Sequence, residues 1–323
     1  MVHQLLLVSS IPHSKYVQTI STLQAMTRLL SPQPISTYTL VTKPSYVFKP
    51  KFEPGKVNQI EQYYMKCTTT WESGVDLDLA IPLIADDETS SVFVERLFSG
   101  NEEVERTWTL QISDIPIAGK QVCSNQTIYE STLIHAHARI EDSEIKKPSD
   151  IADGDAMEID DKVEEPNKEV KTDSNGASEE SSTSIVKSHS SDVSNDPDLT
   201  GRKDSFLLLL ESLGYGVVNQ YWLKGVRFFQ GDIVIEIFKI FIRDDNVSST
   251  DANNNKIKLK LLDESNTFQI KAYINIPKST DIEQISQGSK DLLKLQDLLK
   301  NLFKLEIPDR MFMDSRVTLK KAT

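Results

Sequence analysis

His135 and His137 are two residues apart, so on an extended strand both imidazoles point the same way, an arrangement a metal ion can use. Arg139 falls on the same face, while Ile134, Ala136 and Ala138 line the other. The spacing therefore predicts that the histidines face solvent. No third ligand can be nominated, and no metal site is assigned. Cys67 and Cys123 are too few for a disulfide framework and read as reduced structural thiols. The sequence has no phosphate-cradling glycine loop and no nucleophile elbow.

One enzyme class has to be weighed. A β-barrel with rows of glutamates along its tunnel can hold a divalent cation and hydrolyse phosphoanhydrides, because carboxylates bind hard cations and the cation offsets phosphate charge. That makes a metal-dependent RNA 5′-triphosphatase-like phosphohydrolase the alternative reading. The chemistry needs Glu-x-Glu pairs on strands. Glu103-Val-Glu105 is such a pair, but it lies at a turn, and Glu236 and Glu306 stand singly. No cationic tunnel wall is evident either. The expectation is a protein that is not an enzyme and needs no cofactor.

The elements around these residues are mostly strands. Trp108, Leu110 and Ile112 alternate with Thr109, Gln111 and Ser113, a period of two that Pro116 and Gly119 end. His3–Ser10, Ile35–Val47, Gln62–Trp71, Thr127–Ile140, Tyr215–Phe229, Ile233–Ile242 and Phe268–Ile276 also read as strands. Val75–Ile84, Val92–Phe98 and Phe303–Ile307 are shorter candidates. Tyr16, Ile20, Leu23, Met26 and Leu30 form one helical stripe, and Asp204–Leu213, closed by Gly214, forms a second helix. A capping box, Thr280-Asp-Ile-Glu283, opens a third, whose stripe is Ile282, Ile285, Leu292, Leu295, Leu299 and Leu302. About ten strands and three helices without βαβ alternation predict a mainly β (α+β) fold. The expected architecture is an antiparallel, barrel-like sheet with flanking helices.

The formal charge of −12 is local. Residues 141–200 hold 18 acids against 6 lysines and no aromatic residue, so the other 263 residues balance 30 acids with 30 bases. A segment of that composition cannot offset its ordering entropy, and a long disordered acidic insertion is expected. The division is 1–140 and 204–323 as two halves of one barrel domain, with 141–203 inserted between them. Without a clustered basic excess, direct nucleic-acid binding is not expected. No apolar run is long enough for a membrane span, and Leu5-Leu6-Leu7-Val8 reads as a first strand.

Three separated motifs carry a resemblance. Trp108-Thr-Leu-Gln-Ile-Ser-Asp-Ile-Pro-Ile-Ala-Gly119 is the first. Lys271-Ala-Tyr-Ile-Asn275 followed by Thr280-Asp-Ile282 is the second. Pro308-Asp-Arg310 with Met313-Asp-Ser-Arg-Val317 is the third. In this order they resemble the fungal form of Mediator of RNA polymerase II transcription subunit 18. The similarity spans both ends and is absent from about Lys49 to Asn101 and from the acidic insertion. Membership would imply a non-enzymatic, nuclear scaffold of the Mediator head module. It would also imply pairing with Mediator subunit 20, capture of the C-terminal helix of Mediator subunit 8, and contact with RNA polymerase II and general initiation factors.

A captured helix needs apolar anchors. Trp222, Phe228 and Phe229 are candidates, with ordinary core as the plainer reading. Asp309, Arg310, Asp314 and Arg316 form a charged cluster that reads equally as a docking surface or as local ion pairs.

Overall fold

In strands whose alternate residues are apolar, one whole face must be covered, and here that face determines the architecture. The computed structural model describes residues 1–46, 61–71, 77–83, 92–95, 97, 104–119, 121–137, 205–245 and 256–317. The strands are β1 (Val2–Ile11), β2 (Gln33–Pro44), β3 (Met65–Thr70), β4 (Val92–Glu95), β5 (Val104–Ser113), β6 (Ser124–His137), β7 (Tyr215–Gln230), β8 (Ile233–Arg243), β9 (Lys256–Leu261) and β10 (Phe268–Ile276). The helices are α1 (Tyr16–Thr27), α2 (Ser205–Ser212) and α3 (Ile282–Leu299).

The sheet order is β10-β1-β6-β5-β3-β2-β7-β8, with β9 and then β4 beyond β8. β8 also pairs with β10, which closes eight antiparallel strands into a barrel. The described residues belong to one unit, Met1–Ile140 with Lys203–Thr323, and Glu141–Arg202 is divided from it. That segment lies outside the described residues, and so does the expectation of a disordered insertion.

The register decides which face is inside. Val8 pairs with Lys271, Lys271 with Glu236, and Glu236 with Arg227. Gln111 pairs with Lys66, and Lys66 with Val41. This largely polar row faces the lumen. The opposite, apolar face points outward and is jacketed. Leu5, Leu7, Ile235, Ile237, Ile270 and Ile274 pack with Tyr16 and Leu23 of α1 and with Leu292, Leu295 and Leu299 of α3. On the other flank Tyr38, Cys67, Trp108, Trp222 and Phe241 pack with Phe206 and Leu210 of α2 and with Val92, Val94 and Leu259. The hydrophobic core is thus a layer around the barrel, not a filling within it.

Several sequence expectations shift. Helix α1 ends where Arg28 turns left-handed (φ 57°), so Leu30 falls outside the stripe and is exposed. Asp281, one residue later than the capping box implied, caps α3 by accepting from Gln284 N at 3.0 Å. Ile282 at its start is exposed. Phe303–Ile307 is not a strand. Past Leu6, where the β1–β6 pairing stops, Val8 exchanges two 2.8 Å backbone bonds with Glu306 as a single bridge. Among the described residues of Val75–Ile84, 77–83 hold no strand; Asp78 makes a turn by accepting from Ala80 N at 2.8 Å. Strand β9, not among the strands expected from the sequence, pairs with β8 and extends the sheet.

Two features position the strands. Gly214, at φ +77°, ends α2 and turns the chain directly into β7. At Gly225 a Cβ would lie 2.2 Å from Ile237 O and 2.6 Å from Phe238 Cβ, so only glycine lets β7 and β8 approach this closely.

Candidate functional site: the barrel lumen and the outer surface

The lumen wall is mixed in charge, and it holds cations that the sequence reading did not locate, beside Glu236 and Glu130. Lys66 from β3, Lys271 from β10 and Arg227 from β7 share the inward face. They were invisible to charge counting because each comes from a different strand. Glu236 is fully engaged. Its Oε1 accepts from Arg227 Nε at 2.9 Å, from Arg227 Nη2 at 2.6 Å and from the Tyr273 hydroxyl at 3.1 Å. Burial above all, then the Glu236 carboxylate, pushes the Tyr273 phenol well above its ordinary range, against the opposing charge of Arg227. Glu130 accepts from Gln111 Nε2 at 3.3 Å. Among the described residues no three His, Cys, Asp or Glu side chains are grouped to hold a metal ion.

The histidine expectation is corrected. His135 does not face solvent: its ring meets Phe206 edge-on, centroids 5.7 Å apart, while Ile134 is 62% exposed. The outward face of β6 here lies under α2, whereas Ile134 sits on the polar, inward row. Burial pushes the Cys67 thiol up to about 12 and raises that of Cys123, so neither is a nucleophile at neutral pH.

A second polar cluster was missed by sequence reading. Lys239 is buried, its ammonium pushed down to about 8 by desolvation, partly countered by Asp263. Its Nζ lies 2.8 Å from Asn266 Oδ1, 3.3 Å from His13 Nδ1 and 4.4 Å from the Phe268 ring centroid. An ammonium can only donate, so His13 Nδ1 accepts, and the ring proton sits on Nε2 facing Ala80 O at 2.9 Å. Asn266 Nδ2 donates to Leu83 O at 2.6 Å, and Asn266 Oδ1 accepts from Leu83 N at 3.0 Å. Together these clasp residues 80–83 to the barrel.

The nominated surface residues are scattered. Trp222 and Phe228 are both buried, on opposite flanks of the outer layer, Trp222 with its ring centroid 4.9 Å from that of Tyr38. Phe229, one residue on, is 43% exposed. Asp309 accepts from Met311 N at 2.9 Å, and Arg310 Nε donates to Pro116 O at 2.7 Å. Arg316 forks onto Asp314 (2.8 Å) and reaches Glu61 (3.0 Å), which holds both carboxyls below their usual range; for Glu61 the Tyr63 hydroxyl contributes most. Backbone bonds Tyr64 N to Ser315 O (2.8 Å) and Val317 N to Gln62 O (2.7 Å) complete the seam. It leaves Met311 and Phe312 exposed, and Arg310 ties this segment to Pro116, next to exposed Ile117 in the β5–β6 connection. Phe312, 90% exposed, is a surface feature that its sequence neighbours gave no reason to single out.

The architecture, a closed antiparallel barrel jacketed by helices, is shared with a chain of the Schizosaccharomyces pombe Mediator head module (TM-score 0.51, 12% identity, 95% of this chain and 98% of that one). At that identity the likeness concerns the fold alone. Sequence gives the class and the family. The family model described as Med18 protein matches residues 3–316. "Mediator of RNA polymerase II transcription subunit 18" of Debaryomyces hansenii is 58% identical, covering 99% of this chain and all of the relative. Its counterpart in Scheffersomyces stipitis is 57% identical, with 99% and 100% covered. The chain is a Mediator subunit. It belongs to the Mediator subunit 18 family.

Proposed function

We propose that the protein is a non-enzymatic scaffold of the Mediator head module, linking regulators to RNA polymerase II and the general initiation factors. The observation that carries this reading is the family match over residues 3–316. In this role it pairs with Mediator subunit 20, receives the C-terminal helix of Mediator subunit 8, and works in the nucleus. It contacts neither nucleic acid nor membrane directly. The occupied Glu236 carboxylate supports a role without metal-assisted hydrolysis.

The exposed apolar side chains support a binding role, since association buries such area and a few aromatic anchors carry most of its energy. Among the exposed aromatic residues, Phe312 is held out by the C-terminal seam, and Phe229 lies on the lumen-facing row of β7 near the end of the strand, two residues from Arg227. Asp309, Arg310, Asp314 and Arg316 hold the segment that presents Phe312. Trp222 and Phe228 stabilise the outer apolar layer beneath the helices.

Co-expression with subunit 20 and the C-terminal segment of subunit 8, followed by size exclusion, tests the reading. Co-elution is expected, and a chain that stays monomeric beside them overturns it. Metal-dependent phosphate release from triphosphate-ended RNA would overturn the non-enzymatic part.

A further inference from the structure

A cavity of about 520 Å³ occupies one end of the lumen and is lined from β1, β3, β7, β8 and β10 at once. Strands that are not neighbours in the sheet can share a cavity only across the barrel's interior. Lys66 enters it from β3 and Lys271 from the wall formed by β10, and Tyr221, Asn219 and Gln269 also line it. Both ammonium groups are reached by water inside the cavity, yet protein surrounds them closely enough that desolvation depresses both pKa values. For Lys271 the second cause is Lys66 itself: the two cations repel across the lumen.

Neither lysine forms an ion pair or hydrogen bond with another described residue. Lys271 approaches a π face, with Nζ 5.4 Å from the Phe238 ring centroid. The carboxylate best placed to neutralise it, Glu236, already accepts three donors, two from Arg227 and one from Tyr273. At the rim, Asp263 accepts from Ser265 N at 3.0 Å. The chamber therefore presents two cations without an ion-pair partner among the described residues, Glu236 offsetting Lys271 only in part, and the donor groups of a phenol and two amides. Walls of low dielectric focus such a field on whatever enters.

We propose that the lumen binds a small multivalent phosphate anion, of the oligophosphate class, between Lys66 and Lys271. An anion with charge on both ends of a short chain relieves the repulsion between the lysines and replaces the water each has partly lost. A single monovalent anion does so less well. The same chemistry is offered by free oligophosphate and by the phosphate tail of a nucleotide. The proposal concerns binding alone, with no bond made or broken, and it does not depend on the scaffold role.

The test is calorimetric titration of the full chain with tripolyphosphate, ATP and orthophosphate, with ionic strength matched by potassium chloride. Tripolyphosphate should bind, and orthophosphate at least about tenfold more weakly. The Lys66→Gln/Lys271→Gln double variant should lose at least about tenfold in affinity, while Lys290→Gln on exposed α3 should not. Equal affinity for ATP and tripolyphosphate assigns recognition to the phosphate chain; tighter ATP binding adds a contact to the nucleoside. No binding by the parent chain, or undiminished binding by the double variant, overturns the proposal. Should the double variant not fold, amine acetylation of the parent chain read by mass spectrometry decides. Saturating tripolyphosphate should protect Lys66 and Lys271 relative to Lys290, and unchanged labelling overturns the proposal.

Discussion

Trp108 and Phe206 stack face to face, with ring centroids 3.9 Å apart and planes 9° from parallel, and both are fully buried. One lies on β5, the other on α2 at the start of the later half of the barrel unit. The stack joins two stretches that residues 141–202 separate in sequence. Replacing Phe206 by Ala should destabilise the protein by about 3–5 kcal/mol, the usual cost of emptying a buried aromatic site. Phe206→Leu, which refills part of the volume, should cost less. Urea unfolding followed by tryptophan fluorescence measures both.

Gly225→Ala tests the close approach of β7 and β8. The added methyl would meet the Ile237 carbonyl oxygen at 2.2 Å, which no rotamer change relieves. A loss of about 1–3 kcal/mol or more is expected. A thermal midpoint equal to that of the parent would show that the two strands separate at little cost.

The buried Lys239 gives stability a defined pH dependence. Its folded value near 8 lies below the ordinary 10.5, so between these pH values the unfolded chain binds the proton and the folded chain does not. Stability contributed by this group therefore rises as pH increases through 8, and below 8 its charging penalty is present in full. Lys239→Met removes that slope. Denaturation of the two proteins from pH 7.5 to 9.5 should show the parent gaining on the variant, and parallel curves would contradict the assignment.

Arg316→Ala should loosen the C-terminal seam with little global effect. Its two carboxylate partners are partly exposed, and solvent-screened pairs of this kind contribute little to global stability. Hydrogen exchange should quicken at Tyr64 N and Val317 N, which bond across the seam, while amides in β10 keep their protection.

Phe229→Ala and Phe312→Ala should each weaken recovery of partner subunits while leaving the thermal midpoint nearly unchanged, because both rings are substantially exposed. Phe228→Ala, one residue away and fully buried, should instead lower the midpoint by the equivalent of several kcal/mol. If both exposed-residue variants recover partners as well as the parent does, the partner surface lies elsewhere.

Strands such as Phe268–Ile276 were legible because their alternation survives unchanged in the burial pattern. Which face points inward was not legible, since period two is the same for a filled barrel and a jacketed one. Ile233–Ile242 illustrates this: Ile235 and Ile237 face the outer layer, while Glu236 enters the lumen. The lumen charges escaped notice because register, not sequence proximity, brings Lys66 toward Lys271. The seam around Arg316 was half legible. Its opposite charges were visible locally, but Glu61 lies 255 residues away. The Lys239 clasp had no signal at all, since a lysine among apolar neighbours reads as solvated until His13 and Asn266 are placed beside it.

The closure of the barrel also sets when it can form. β1 is made before all the other strands of the barrel, yet one of its edges waits for β10, the last of them, and β10 must also reach β8. While the chain is still on the ribosome, the edge of β1 and the apolar face carrying Leu5 and Leu7 lack much of their cover. Pairings that span most of the sequence are slow to find. The barrel therefore cannot close until β10 has been made, and chaperone attendance should be concentrated on β1 until then.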